Sequence, residues 1–594
     1  MAYEPPLDDI RFALEHLVDL RALTDLEPFA DADPDTVIGV LEEAGRFMAE
    51  VLGPLHRVGD TDPARWHDPH TVTTPPGFKD AYRRYVDAGW GAVPFDPGYG
   101  GGGFPWLVTI VIQEMMTAAN MGFSLCPLLT QGAIDMLLHH GNESQQQTYL
   151  PHMVTGEWTG TMNLTEPEAG SDVGALRTKA EPRGDGTYAI TGQKIFITYG
   201  EHDLTEQIVH LVLARTPGAP PGTKGISCFI VPKYLVRDDG SLGERNALSC
   251  VSIEHKMGIH ASPTCVMSYE GATGFLIGEE NSGMRYMFTM MNSARLSVGL
   301  EGLAVGEAAY QQAVAYAKER LQGRAITAGT PRTPGTSDSR EQAPIVEHAD
   351  VRRMLLTIKA YVQAMRGLVY LNAECLDLAA HHPDEGVRTW RRELADLLTP
   401  ITKAWCTDLG NECASLNVQV HGGMGYIEES GAPQLYRDIR IAPIYEGTNG
   451  IQAMDLVGRK LPMRGGGAMK DLLAELGAVD AELAAAGDAV ASIRTRLAEG
   501  VRVLSDATDW MFANGLSDPN DAFAGSAAYL RIAGLVVGGW VMARTALAAS
   551  GSDDPADADR VVTARFYCET LLPQASGLLA AATAGAGDLA AATF

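Results

Sequence analysis

The run from Met284 to Gln322 constrains the fold most, because it reads as one long helix without interruption. A helix in water is held mainly by packing of an apolar face, so this one needs partners of similar length. The sequence supplies them. VEHADVRRMLLTIKAYVQAMRGLVYLNAECLDLAA, starting at Val346, forms a second long helix, and residues 388–421 form a third that ends at HGGMGY. Long helices with short connections suggest an antiparallel bundle. The break after the first helix, AITAGTPRTPGTSDSREQAP (residues 325–344), is rich in Thr, Pro, Gly and Ser and reads as an exposed loop.

Upstream, TVIGVLEEAGRFMAEVLGPL and VTIVIQEMMTAANM repeat apolar residues at i, i+3, i+4, with the loop GYGGGGF (98–104) between them. Near residue 160 the period changes. LRTKAEPRGDGTYAITGQKIFITYG reads as strand, turn and strand, with Asp185-Gly186 at the turn. IVHLVLART, GISCFIVPK and VSIEHKMGIHASPTCVMSYEGATGFLIG add further strands, enough for a small barrel or sandwich. RGGGAM (464–469) reads as a linker into an alanine-rich helical tail. The expected organisation is mainly α with a central β domain. Its parts are a leader (1–35), a helical domain (36–157), a β domain (158–280), a helical bundle (281–463) and an extra helical domain (464–594).

Composition excludes some partners. A formal net charge of -28 argues against nucleic acid, whose phosphates need neutralising. MAYEPPLDDIRFALEHL lacks the basic region and cleavage site of a signal peptide. The apolar run IAGLVVGGWVMA (532–543) is shorter than the ~20 residues a bilayer span needs, so it reads as a buried core helix. Eight scattered cysteines without a CxxC pair fit reduced thiols in the cytoplasm; neither a disulfide frame nor a metal site is expected.

Three stretches carry possible chemistry. TMNLTEPEAGSDVGALRTKA (161–180) combines Thr165 and Pro167 with a small Ala169-Gly170-Ser171 step. Such a step lets backbone approach a ligand, and it also suits a simple cap. HGGMGYIEES (421–430) ends a helix with paired glycines, either a C-cap or a phosphate platform. IAPIYEGTNGIQ (441–452) sets one carboxylate, Glu446, before a glycine-threonine break. Ile444 and Tyr445 can partly desolvate it, which raises a carboxylate's pKa and makes it a better base; as a bare pattern it reads more readily as an ordinary loop acid. Neither a Rossmann nor a P-loop fingerprint is present.

NLTEPEAGSD, QKIFITYG, KMGIHASPT, ARLSVGLEGLAVGEAAYQQAVAYAKERLQGR, QVHGGMGY and YRDIRIAPIYEGTNGIQ occur in that order over about residues 40–460. This series resembles the acyl-CoA dehydrogenase family. The resemblance implies an N-terminal helical domain, a middle β-barrel domain and a C-terminal four-helix bundle, with FAD between the last two and part of it reaching a second subunit, hence at least a homodimer. The leader and tail resemble a long subgroup of the family.

By matching position, Glu446 is the catalytic base. It takes the α-proton of an acyl-CoA while a hydride leaves Cβ for the flavin, and its own N–H supports the thioester carbonyl. Family branches with the base on another helix carry it where this chain has Ala294, which cannot take a proton. Met162, Leu164, Thr165, Gly170 and Ser171 match the first FAD segment, with Ser171 also near CoA; Phe196, Ile197 and Thr198 match the second. Arg320 and Gln322 match contacts to flavin pyrophosphate across the dimer, and Gln419, Gly422 and Gly423 match the adenine and pyrophosphate site. Thr448, Asn449 and Gly450 run past the flavin; Asn292 and Arg295 lie near pantetheine or the base.

The resemblance implies a dehydrogenase of the β-oxidation type that passes electrons to an electron-transfer flavoprotein. Its substrate would be a short or medium acyl-CoA or 3-methylthiopropanoyl-CoA. The rivals are an acyl-CoA oxidase and a non-catalytic flavoprotein of the same fold. The second wants a basic tail, whereas residues from 466 onward hold more Asp and Glu than Lys and Arg.

Overall fold

The computed structural model describes residues 3–30, 32–324, 342–515 and 517–594. Most of the loop read at 325–344 lies outside the described residues. The N-terminal helical region centres on α1 (Trp106–His140), which is buried on nearly every face. Its axis breaks at Asn120 (φ -163°, ψ 89°). The Asn120 side chain compensates for the broken ladder, accepting from the Phe123 amide (3.1 Å) and donating to the Leu52 carbonyl (3.3 Å). The freed Gly122 carbonyl accepts from the Tyr199 hydroxyl at 2.7 Å, which ties the kink to the β domain.

The β domain comprises β1 (Thr159–Asn163), β2 (Lys179–Pro182), β3 (Tyr188–Thr198), β4 (Ile208–Ala214), β5 (Ser227–Pro232), β6 (Leu248–Ile253) and β7 (Thr264–Leu276). Their order is β1-β4-β5-β7-β3-β2, with β6 also on β7. β1 and β4 run parallel; the other pairs are antiparallel. β7 bridges the two halves. It pairs with β5 at Phe275 and Leu276 and with β3 from Thr264 to Gly274, bending at two register shifts. The sheet returns on itself at a parallel bridge between Lys179 and Arg215, where the Ala180 amide donates to Arg215 O (2.8 Å) and the Arg215 amide to Thr178 O (2.9 Å).

Helices follow: α2 (Gly283–Glu319), α3 (Ala349–His381), α4 (Glu385–His421), then the helix Ala432–Ile439 and, after the turn at Glu446, the short α5 (Asn449–Asp455). α2 and α4 cross at glycines. A Cβ on Gly302 would lie 2.0 Å from the Cys406 carbonyl oxygen, and one on Gly410 would lie 2.6 Å from the Gly302 Cα. The helices approach at backbone distance there, and that approach sets where their neighbouring side chains meet.

The tail packs directly on this bundle. α6 (Pro519–Ala549) lays Gly534 and Gly538 on the Trp405 ring of α4 and Val541 on Gly367 of α3. The leader joins them: Asp9 pairs with Arg560 of the tail at 3.0 Å, and Glu374 of α3 accepts from the Asp19 amide at 2.8 Å. RGGGAM is a pinned turn rather than a loose linker. Arg464 (φ 48°), Gly465 (φ 64°) and Gly466 (φ 90°) are left-handed, and Arg464 pairs with Glu393 (2.8 Å) and Asp471 (2.6 Å). α1 and α6 are long and apolar enough to cross a membrane, but both are buried within the fold. All eight cysteines are free and buried.

Candidate active site

Glu446 sits in the turn between the Ala432–Ile439 helix and α5. Its φ is 55° and that of Gly447 is 79°, two left-handed residues in succession. For a non-glycine residue this costs ~1–3 kcal/mol, so the surroundings must hold it. They do so through the carbonyls. Gln452 Nε2 donates to Glu446 O (3.0 Å), and Lys403 Nζ donates to Gly447 O (2.8 Å) and Asn449 Oδ1 (2.9 Å). Thr448 caps α5, accepting from the Ile451 amide at 3.2 Å. No group among the described residues accepts from the Glu446 amide. The turn therefore presents a carboxylate and an unpaired N–H from the same residue.

Glu446 is only partly exposed. Burial pushes its carboxyl up to about 7, with Arg295 and Lys403 pulling it back. Arg295 is itself buried and lies 3.6 Å from Asp455. Burial also moves Lys403 down to about 8, opposed by Glu446. Lys403 and Gln452 escape a reading by motif. The detectable signal for Lys403 is a lone cation in the apolar run LLTPITKAWC. Lys403→Met leaves the Gly447 carbonyl with only the longer bond from Gln452 Nε2 (3.3 Å) and removes the cation's bond to Asn449 Oδ1. Loss of a charge-assisted bond of about 1.5–3 kcal/mol predicts a kcat drop of roughly ten- to a hundredfold, read by steady-state kinetics with flavin content as the control.

The two expected flavin segments lie side by side. The Ile195 amide donates to Thr165 O at 2.9 Å, and the buried Lys194 Nζ donates to Leu164 O (2.9 Å) and Glu166 Oε1 (2.8 Å). The side chains of Leu164 and Ile197 are core. Met162, Thr165 and Thr198 are partly exposed, and Gly170 and Ser171 are open. Phe196 is 59% exposed at φ 60°, a large aromatic held outward on strained backbone. The hydroxyls of Thr165, Ser171 and Thr198 have no hydrogen-bond partner among the described residues. Aromatic platform, free hydroxyls and open glycine suit a flavin dinucleotide.

The KMGIH loop joins this cradle to the base-bearing segment. Thr264 pairs with Thr198, and the Ile259 amide donates to Asp438 Oδ1 at 2.5 Å. Gly258 lies against the Arg437 backbone, where a Cβ would be 2.4 Å from its carbonyl oxygen.

Other matched residues lie elsewhere. Gln419, Gly422, Gly423 and Gly450 are exposed, as is Asn292. The Asn449 side chain is committed to α4, donating to Ala404 O (3.1 Å) and Asp408 (2.7 Å). Any contact from it to a cofactor would therefore use backbone. Arg320 and Gln322 are exposed at the far end of α2. At about 1.5 Å per residue, Arg320 lies roughly 37 Å along the helix from Arg295.

Sequence comparison agrees with this architecture. Four family models match in series: acyl-CoA dehydrogenase N-terminal domain (40–157), middle domain (161–272) and C-terminal domain (336–461), then acetyl-CoA dehydrogenase C-terminal like (472–593). The chain is 46% identical to 3-methylmercaptopropionyl-CoA dehydrogenase of Ruegeria pomeroyi over 97% of each chain. It is 35% identical to a butyryl-CoA dehydrogenase of Syntrophomonas wolfei over 96% of this chain and 95% of that one. The solved structure of Caenorhabditis elegans ACDH-11 with C11-CoA shares the fold, with a TM-score of 0.74 at 19% identity, covering 96% of this chain and 92% of that one. Helical domain, β domain and bundle around a flavin-compatible cradle define an FAD-dependent dehydrogenase. The chain belongs to the acyl-CoA dehydrogenase family and oxidises an acyl-CoA thioester.

Proposed function

We propose that Glu446 is the base of this α,β-dehydrogenation and that the substrate is a short acyl-CoA, 3-methylthiopropanoyl-CoA foremost. The observation that carries the first part is the left-handed turn, which offers a carboxylate raised to about 7 and an unpaired N–H together. The carboxylate takes the proton from Cα. The N–H stabilises negative charge as it develops on the thioester oxygen. Arg295 and Lys403 keep the carboxylate from being neutralised outright by burial. Thr165, Ser171, Phe196 and Thr198 would hold FAD, which when bound would supply the two-electron acceptor for the hydride from Cβ. The substrate reading rests on the name of the Ruegeria relative and its full-length similarity.

The base must be ionised to act, so kcat/KM should rise with pH through about 7 and level above it. A flat profile between pH 6 and 8 would remove Glu446 from this role. Anaerobic bleaching of the FAD-loaded enzyme by 3-methylthiopropanoyl-, butanoyl-, octanoyl- and palmitoyl-CoA tests the substrate. Bleaching by palmitoyl-CoA alone refutes a short-chain site.

The electron acceptor in this reading is an electron-transfer flavoprotein, and the setting is the cytoplasm. The separation of Arg320 from Arg295 along α2 supports a homodimer in which Arg320 and Gln322 serve the partner's flavin. The tail covering α3 and α4 supports a dimer rather than a tetramer. Sedimentation of the holoenzyme as a tetramer would overturn this.

A further inference from the structure

Glu301 on α2 is a buried carboxyl with no part in the mechanism above. It is fully buried, and the Tyr445 hydroxyl donates to it at 2.5 Å. Among the described residues that hydroxyl is its only hydrogen-bond partner, and no Lys or Arg lies within ion-pair distance. A fully buried carboxylate with a single neutral donor is strongly disfavoured, so the acid form is the stable one. Burial is the dominant influence. Glu446 repels a second negative charge, whereas the Tyr445 bond and the Lys403 charge, itself bonded to Gly447 and Asn449, oppose it without cancelling the effect of burial. Arg295 faces Glu446 and Asp455; Arg459 also turns to Asp455, and Asp408 holds Asn449. Burial takes Glu301 up to about 8, above Glu446.

The same bond matters for geometry. Gln452, Lys403 and Asn449 tether the turn from Glu446 onward. On the preceding stretch, residues 441–445, the Tyr445–Glu301 bond is the only side-chain hydrogen bond to another element among the described residues. Tyr445 adjoins the left-handed Glu446, so freedom at Tyr445 becomes freedom at the base.

We propose that Glu301 is a positioning residue for the dehydrogenation: as a neutral acid it anchors Tyr445, and with it the turn that presents Glu446, without placing a second anion beneath the base. This rests on Glu446 being the base. Gln can replace a neutral acid at such a site, whereas Leu cannot.

The test measures the rate constant of flavin reduction by butanoyl-CoA against pH in FAD-loaded enzyme, with flavin content and Tm as fold controls. Glu301→Gln should lower the rate by about two- to fourfold and leave the inflection near pH 7 in place. Glu301→Leu and Tyr445→Phe should each lower it about twentyfold with KM within about twofold, and the double variant should be no slower than the worse single one. A fall of the inflection by about one pH unit in Glu301→Gln would mean that Glu301 is an anion in the native enzyme, and would overturn the proposal. Multiplicative losses in the double variant would overturn the anchor. If Glu301→Leu fails to fold, Tyr445→Phe against Glu301→Gln carries the same comparison. Glu446→Gln run alongside separates the two readings: if it still reduces flavin, the base assignment itself fails.

Discussion

Glu446→Gln stops turnover while the enzyme keeps its flavin. Glutamine preserves the size of the side chain and leaves the left-handed backbone, its carbonyl bond to Gln452 and its free N–H in place. Only proton affinity is lost. General-base catalysis contributes about 10²–10⁴-fold, so kcat should fall by at least ~10³ where no other group can take the proton. The nearby acids offer no escape. Ala294 cannot act, and Glu301 is buried behind Tyr445 and bonded to it. The variant should still bind acyl-CoA, because the N–H proposed to meet the thioester oxygen remains. Stopped-flow flavin reduction and a binding titration on the same preparation check both halves. Residual reduction above about a hundredth of the parent rate would show that another group removes the proton.

Gly302→Val should unfold the centre of the molecule by about 3 kcal/mol or more, through overpacking at a backbone-to-backbone contact. A Cβ at Gly302 would sit 2.0 Å from the Cys406 carbonyl oxygen and 2.4 Å from its carbon. No rotamer relieves this, because the obstacle is main chain. α2 and α4 would have to separate, and Gly299 against the Thr402 backbone lies in the same crossing. Arg295 and Glu301 are carried on α2, and Lys403 on α4. Forced apart, the helices would no longer bring Lys403 to the Glu446 turn. Thermal and urea unfolding measure the first effect, and the flavin-reduction rate of the surviving fold measures the second. Gly577→Ala is the control: a Cβ there meets nothing within 4 Å, so it should be neutral or stabilising by about 0.5–1 kcal/mol. Equal losses in the two variants would show that the α2–α4 approach is not special.

The helices and strands were legible because their periods differ and their segments are long. The run read from Met284 to Gln322 is the helix Gly283–Glu319, and residues 388–421 fall in Glu385–His421. The strands around Asp185-Gly186 appear at Lys179–Pro182 and Tyr188–Thr198. The kink at Asn120 was not legible, since its signal is one side chain replacing lost ladder bonds in an otherwise apolar helix. Nor was the pinned state of RGGGAM. Three glycines in a row look like a free linker until Arg464 meets Glu393, 71 residues away in sequence.

The sequence by itself determined the class of protein: the order helical, β, helical, and the motif series that ends in a lone acid at a glycine-threonine break. Those are local patterns, set by side-chain period and by residues adjacent in the chain. What suits Glu446 to the proposed role of base depends on the tertiary structure. Its raised proton affinity comes from burial set against Arg295 and Lys403, which lie on two different helices. Its left-handed backbone is kept by Gln452 and Lys403. Desolvation and field depend on what surrounds a group in space, and here the surroundings come from residues more than a hundred positions apart, joined where α2 and α4 touch backbone to backbone.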